Sequence, residues 1–228
     1  MKRVRVKVCG LREPLKAAAI ARCGADAIGM VFADSPRWVS PEQGRAVADV
    51  LPPLVTKVGV FVDASPAVLN SVAEKVRLDL LQLHGNEPPD IVEKLERPVI
   101  KAFRVRGREW LEEARHWLDG VATPSRVTAI LLDAFKPDVH GGTGERFNWE
   151  WVADARLAGA MAGLPPVILS GGLDAKNVIT AIANVQPWAV DVSSGVESAP
   201  GVKDVAKANR FIITVIDDVP ELDSDFWT

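Results

Sequence analysis

One pattern recurs along the chain: a short apolar run of strand length, a polar loop, then a stretch with helix signals. The apolar runs are VRVKVCG from Val4, AIGMVF from Ala27, KVGVFV from Lys57 and LLQLHG from Leu80. They continue with PVIKAF from Pro98, AILLDA from Ala129, PVILSG from Pro166 and AVDVSSG from Ala189. Between them, Pro14 to Arg22 is alanine-rich and stops at Cys23-Gly24, a glycine in the usual C-terminal place. Ser40-Pro41 and Ser65-Pro66 each offer an N-cap followed by a first-turn proline. A further helix is expected from Asp174 to Val185, after a double glycine. About eight strands alternating with helices in 228 residues predict an α/β fold, a single-domain (β/α)8 or TIM barrel over residues 1–215. A doubly wound open sheet is the alternative, but it usually has fewer strands in this length. Residues 216–228 read as an acidic, exposed tail.

In a barrel both faces of each strand are buried, one against helices and one toward the interior. Side chains alternate with period two. Val4, Val6 and Val8 fit the helix side, which turns Arg5, Lys7 and Cys9 inward. By analogy Val58, Val60 and Val62 are expected outside, with Gly59, Phe61 and Asp63 inside. Gln82 shares a parity with His84, and Lys101 with Phe103; Asp133 ends the sixth run; Asp191 and Ser193 alternate with Val190 and Val192. Polar residues thus gather toward the carboxyl ends of the strands, where sites of this fold lie. Arg5, Lys7 and Lys101 read equally well as barrel groups paired below the site, since long basic side chains are rarely buried alone.

Composition narrows the function classes. Hydrophobic residues make up 48% and charged residues 25%, and the formal net charge is -3 without a long basic run. That argues against nucleic acid as a partner and leaves room for a local basic pocket. No apolar run reaches bilayer length, so no membrane partner is expected. MKRVRVKVCG has no apolar segment of signal-peptide type. Two cysteines, Cys9 and Cys23, lack metal-ligand spacing and are too few for a disulfide framework. A reduced, cytoplasmic protein is expected.

Three glycine-bearing segments follow the last three strands: HGGTGERFNW (140–149), SGGLDAKN (170–177) and SSGVE (193–197). Glycine lets backbone amides close on an anion, and helix N-termini favour phosphate. Phosphate in barrels often sits on the loops after strands seven and eight. Gly171, Gly172, Ser193, Ser194 and Gly195 are therefore the candidate phosphate residues. No Walker A or GxGxxG spacing points to a nucleotide.

Taken in order, these segments resemble the phosphoribosylanthranilate isomerase family of tryptophan biosynthesis. The resemblance runs from Lys7 to about Phe211 and rests on KVCG, GADAIGMVF, SPRWVSPEQ, VGVFV, LQLHG, KAF, LLDAFKPDVHGGTGERFNW, ILSGGL and VDVSSGVE. Any one motif is weak; the ordered set is specific. The resemblance implies an Amadori rearrangement of N-(5-phosphoribosyl)anthranilate to 1-(2-carboxyphenylamino)-1-deoxyribulose 5-phosphate, without metal or cofactor. It implies Asp133 as general acid, Cys9 as general base and Arg37 as the anthranilate carboxylate ligand, in a monomer or homodimer whose partner is a small phosphosugar. Asp191 and His84 are further substrate-binding candidates, although His84 fits a hydrogen-bonded barrel residue better than a catalyst. The related histidine-pathway sugar isomerase would carry Asp in place of Cys9. A non-catalytic phosphosugar-binding barrel is a second alternative. The joint presence of Cys9, Arg37 and Asp133 argues against it.

These residue types suit that chemistry. Opening the ribofuranose requires a proton on the ring oxygen, which an inward carboxyl can deliver. A thiolate can then remove the proton from the sugar C2, though a free cysteine is mostly thiol at neutral pH. Lys7 and the amino end of the first helix are expected to favour the thiolate. The arginine fork matches a planar carboxylate. Trp38, beside Arg37, is a candidate flank for the aromatic ring; Cys23, His116 and His140 receive no role. FNW stands where FDW is more usual in the family, and Asn148 is expected to cap the next helix as Asp would.

Overall fold

Period-two alternation in runs buried on both faces is satisfied when the strands close on themselves. In the computed structural model, which describes residues 3–134 and 147–217, they do. Eight parallel strands form a closed barrel in sequence order: β1 (Arg5–Cys9), β2 (Ala27–Val31), β3 (Thr56–Phe61), β4 (Leu80–Leu83), β5 (Val99–Val105), β6 (Val127–Ala134), β7 (Val167–Leu169) and β8 (Ala189–Val192). β8 pairs back onto β1, placing Asp191 beside Lys7. Helices α1 (Pro14–Arg22), α2 (Pro41–Asp49), α3 (Pro66–Val76), α4 (Trp110–Asp119), α5 (Glu150–Leu157), α6 (Val178–Val185) and α7 (Val205–Asp217) follow in chain order. None of the described helices is long and apolar enough to cross a membrane.

The helix starts follow the sequence signals closely. Ser40 accepts from the Gln43 amide while the Gln43 side chain accepts from the Ser40 amide, a complete capping box on α2. Ser65 accepts from Val68 at the start of α3. Asn148 Oδ1 accepts from the Glu150 amide just ahead of α5, whose N-cap position is Trp149, one residue later than expected. Two expectations are corrected. The segment 174–177 is a turn and α6 begins only at Val178, because the Asp174 and Asn177 side chains bond to backbone amides of 174, 176 and 177 and so compete with the helix. The connection from β4 to β5 holds only a 3-10 helix, Pro89–Lys94. The α7 helix extends through Asp217, so the first two residues assigned to the tail are helical; residues 218–228 lie outside the described residues.

Strand register corrects the inside-outside assignment in β3 and β5. Parallel partners point to the same face, and the chain of pairs runs Cys9–Gly29–Val58–Leu80 and Gln82–Ile100–Ala129. Val58 and Val60 therefore line the interior. Val58 packs with Ile100, Ala102, Leu131 and Ile168, and Val60 with Cys9 and Val31. Phe61 points outward, is fully buried in the helix layer and stacks on Phe32 at 5.2 Å. Gly59 also faces out: a Cβ there would lie 2.4 Å from Leu78 Cδ1. Lys101 likewise leaves the interior. It bonds Glu87 at 2.7 Å beneath Trp117 on the outer side of β5. Arg5, at the far end of the barrel, stacks on Trp188 at 4.3 Å. Of the three basic residues placed inside, only Lys7 sits in the polar centre, where it meets Asp191.

Candidate active site

The carboxyl ends of the strands open into a cleft lined by residues from the ends of several strands. Cys9 from β1, Asp133 from β6, His84 after β4 and Arg37 after β2 all face it. Elements distant in sequence meet here because every parallel strand delivers its last inward side chain to the same rim. Gly29 leaves room for the thiol, since a Cβ on it would stand 2.8 Å from Cys9 Sγ.

Two polar chains cross the floor. In the first, Lys7 Nζ donates to Asp191 Oδ1 at 2.9 Å, and Ser170 Oγ donates to Asp191 Oδ2 at 3.2 Å; all three are buried. Burial drags Lys7 down, but Asp191 and Cys9 outweigh it and leave the ammonium above its ordinary pKa. In the second, the Gln82 amide lies 2.8 Å from His84 Nδ1, and His84 Nε2 lies 3.1 Å from Asp133 Oδ2. With Gln82 Nε2 donating, His84 keeps its proton on Nε2 and donates it to Asp133. Asp133 Oδ1 accepts from the Ala134 amide at 2.9 Å, so both oxygens are oriented. His84 is thus a hydrogen-bonded barrel residue, and it also lines the cavity.

Cys9 departs from expectation in its charge. Burial pushes the thiol pKa up; Lys7 and Lys203 pull it down, but Asp191 pushes it further up and the net shift is upward. Lys7 favours the thiolate by its charge and a hydrogen bond, but burial is the largest influence and Asp191 adds to it.

Arg37 is buried, and its Nε and Nη2 donate to the two carboxylate oxygens of Glu197 at 2.7 and 2.8 Å. Gly10, at φ +85, passes so close that a Cβ would sit 2.6 Å from Arg37 Cδ. Glu197 opens a short antiparallel hairpin, β9 (Glu197–Ala199) with β10 (Val202–Lys203), which follows β8. Sequence reasoning assigned no role to Glu197 or Lys203. The one available signal was an acidic residue closing SSGVE, a loop otherwise read as anion-binding.

The remaining candidates divide. Gly171, Gly172, Ser193, Ser194 and Asp191 line the cavity. Gly195 does not; a Cβ there would lie 2.0 Å from the Leu173 carbonyl oxygen, so this glycine lets the loops after β7 and β8 pack together. Trp38 is half-exposed and absent from the cavity wall, because its backbone bridges to Val31 while Arg37 takes the inward place. His140 and the glycines of HGGTGER lie outside the described residues.

A closed parallel barrel that gathers a thiol, a carboxylate and an arginine at the carboxyl ends of its strands belongs to the class of (β/α)8 enzymes. Comparison with known proteins is more specific. The family model of N-(5'-phosphoribosyl)anthranilate (PRA) isomerase matches residues 6–214. The isomerase of Geobacter sulfurreducens is 49% identical over 210 residues, 92% of this chain and 97% of that protein. The crystal structure of the Thermotoga maritima isomerase superposes with a TM-score of 0.81 at 39% identity, covering 93% of this chain and 98% of that one; the isomerase of that organism is dimeric. A second isomerase structure, in complex with reduced 1-(o-carboxyphenylamino)-1-deoxyribulose 5-phosphate, has a TM-score of 0.78 at 38% identity over the same shares. The chain belongs to the phosphoribosylanthranilate isomerase family, and it is an enzyme, an isomerase built on a (β/α)8 barrel.

Proposed function

We propose that this chain converts N-(5-phosphoribosyl)anthranilate to 1-(2-carboxyphenylamino)-1-deoxyribulose 5-phosphate in tryptophan biosynthesis, with Asp133 as general acid and Cys9 as general base. The observation that carries the assignment is the convergence of Cys9, Asp133 and Arg37 on one cavity from separate strand ends. Asp133 delivers a proton to the furanose oxygen, the C1–O bond breaks, and the anthranilate nitrogen becomes an iminium. Cys9 then takes the proton from C2, giving an enamine that tautomerises to the ketose. Burial raises the cost of the thiolate, so the positive charge on the iminium is what makes C2 acidic enough for this base. Arg37 receives the anthranilate carboxylate, and the loops at Gly171-Gly172 and Ser193-Ser194 receive the phosphate. The relative solved with the reduced product analogue supports this ligand class.

The free thiols Cys9 and Cys23 suit a reducing cytoplasm. A homodimer fits the dimeric Thermotoga maritima relative, with a monomer as the alternative. The decisive test generates phosphoribosylanthranilate in situ and follows its anthranilate fluorescence. Fluorescence is expected to decay faster with the protein present; no acceleration at micromolar enzyme would overturn the assignment.

A further inference from the structure

The Arg37 fork is already occupied. Its bidentate bond to Glu197 is buried on both sides, with side-chain exposures of 9% and 5%. An Arg–Glu pair carries no net charge, so alone it offers an incoming carboxylate little attraction. The hairpin supplies the missing charge. Lys203 Nζ stands 2.6 Å from Glu197 Oε1 and is itself buried. Arg37, Glu197 and Lys203 together sum to one positive charge.

The same lysine also ties into the loop after β8. It donates to the Ser193 carbonyl at 2.9 Å and to Ser193 Oγ at 3.2 Å, while Ser193 Oγ donates to the Cys9 carbonyl at 3.2 Å. Burial pulls Lys203 below its ordinary pKa although Glu197 and Cys9 raise it. Burial pushes Glu197 up, yet Arg37 and Lys203 outweigh it and hold the carboxyl below its usual range. Buried ion clusters are weak stabilisers, because desolvation consumes most of their attraction. One that fixes an arginine at a cavity wall, against a glycine shaped around that arginine, serves placement instead.

We propose that Glu197 and Lys203 are specificity-determining positioning residues for the ring carboxylate. Glu197 fixes the Arg37 guanidinium, and Lys203 restores the positive charge that Glu197 cancels. The inference rests on the reading that Arg37 receives that carboxylate. It explains why a residue pair outside the acid–base machinery is buried between the arginine and the Ser193 loop.

The test compares two inhibitors: reduced 1-(o-carboxyphenylamino)-1-deoxyribulose 5-phosphate and the same compound without its ring carboxylate. The readout is the ratio of their dissociation constants. Lys203→Met is expected to cut the preference for the carboxylated compound at least tenfold. Adding Glu197→Gln to it returns the three-residue charge to plus one and is expected to restore part of the preference but not all of it, because the amide offers Arg37 one acceptor where the carboxylate offers two. A merely structural role would instead weaken both inhibitors alike, and the second substitution would compound the loss. Either of those results, or an unchanged ratio in Lys203→Met, would overturn the proposal. Lys203→Gln, which keeps a donor for Ser193, replaces Lys203→Met if the latter does not fold. Arg37→Ala separates the two ideas. If it leaves the preference intact, the carboxylate reading of Arg37 fails. If it abolishes the preference while Lys203→Met does not reduce it, the positioning proposal alone fails.

Discussion

Cys9 shows how one residue can be constrained from several directions. Its strand parity turns it inward, Gly29 gives the sulfur space, and burial with Asp191 nearby keeps the thiol protonated beyond its ordinary range. The mechanism needs Asp133 protonated while Cys9 is deprotonated, so kcat/KM is expected to be bell-shaped in pH, with the limb set by Cys9 lying above the ordinary thiol value of about 9. A profile with no limb above that value would exclude Cys9 as the base of the free enzyme. Cys9→Ala and Asp133→Asn should each lower kcat by at least ~10²-fold, the usual range for losing a positioned acid or base, with KM changed less. Steady-state kinetics on the two variants would check this. Gly29→Ala should lower kcat as well, since its methyl would occupy the space 2.8 Å from Sγ; a folded variant with unchanged kcat would show that the thiol position does not matter. Cys9, Asp133 and Arg37 were named from the sequence because the family resemblance carried them. Glu197 and Lys203 were not, because their meaning lies in contacts across 160 and 6 residues that no local pattern records.

At the scale of elements, the eight strands and most helix starts were legible because the signals are local: alternation, a serine cap, a proline in the first turn. The capping box at α2 should therefore behave as a local stabiliser. Ser40→Ala is expected to cost ~1 kcal/mol and lower Tm by roughly 2–4 °C in a chain of this size, with kcat unchanged. Thermal melts and an activity assay together would check it, and an equal Tm would mean the cap contributes nothing. The late start of α6 was harder to see, since Asp174 and Asn177 cap a turn with the same chemistry that caps a helix. The 3-10 helix between β4 and β5 left no distinct trace, since its first-turn proline also opens α1, α2 and α3.

For the whole molecule, buried ion pairs outside the barrel interior tie loops to strands. Glu87 accepts from Lys101 at 2.7 Å and from the amides of Asp63 and Gly85. Burial pushes its carboxyl up, but Lys101, the Asp63 amide and its own amide outweigh it, and the pKa ends below the ordinary glutamate value of 4.5. A depressed folded-state pKa contributes stability above the unfolded value, and that stability is lost as pH falls below it. The urea midpoint should therefore drop between pH 5 and pH 3, by about the range over which such carboxylates protonate. Glu87→Gln should be less stable at pH 7 yet lose less on acidification; an identical acid slope would show that Glu87 is not among the groups responsible. The sequence by itself determined the barrel, the strand count and the gathering of polar groups at one end, because each follows from short-range periodicity and turn chemistry. It left open which parity of β3 and β5 faces inward, since both faces are buried and valine suits either. Only closure of the sheet decided that: each strand must accept the register of its neighbours around the ring, and that register puts Phe61 in the helix layer. The same closure brought Arg37 against the Glu197–Lys203 hairpin pair, joining charges 160 residues apart into one site.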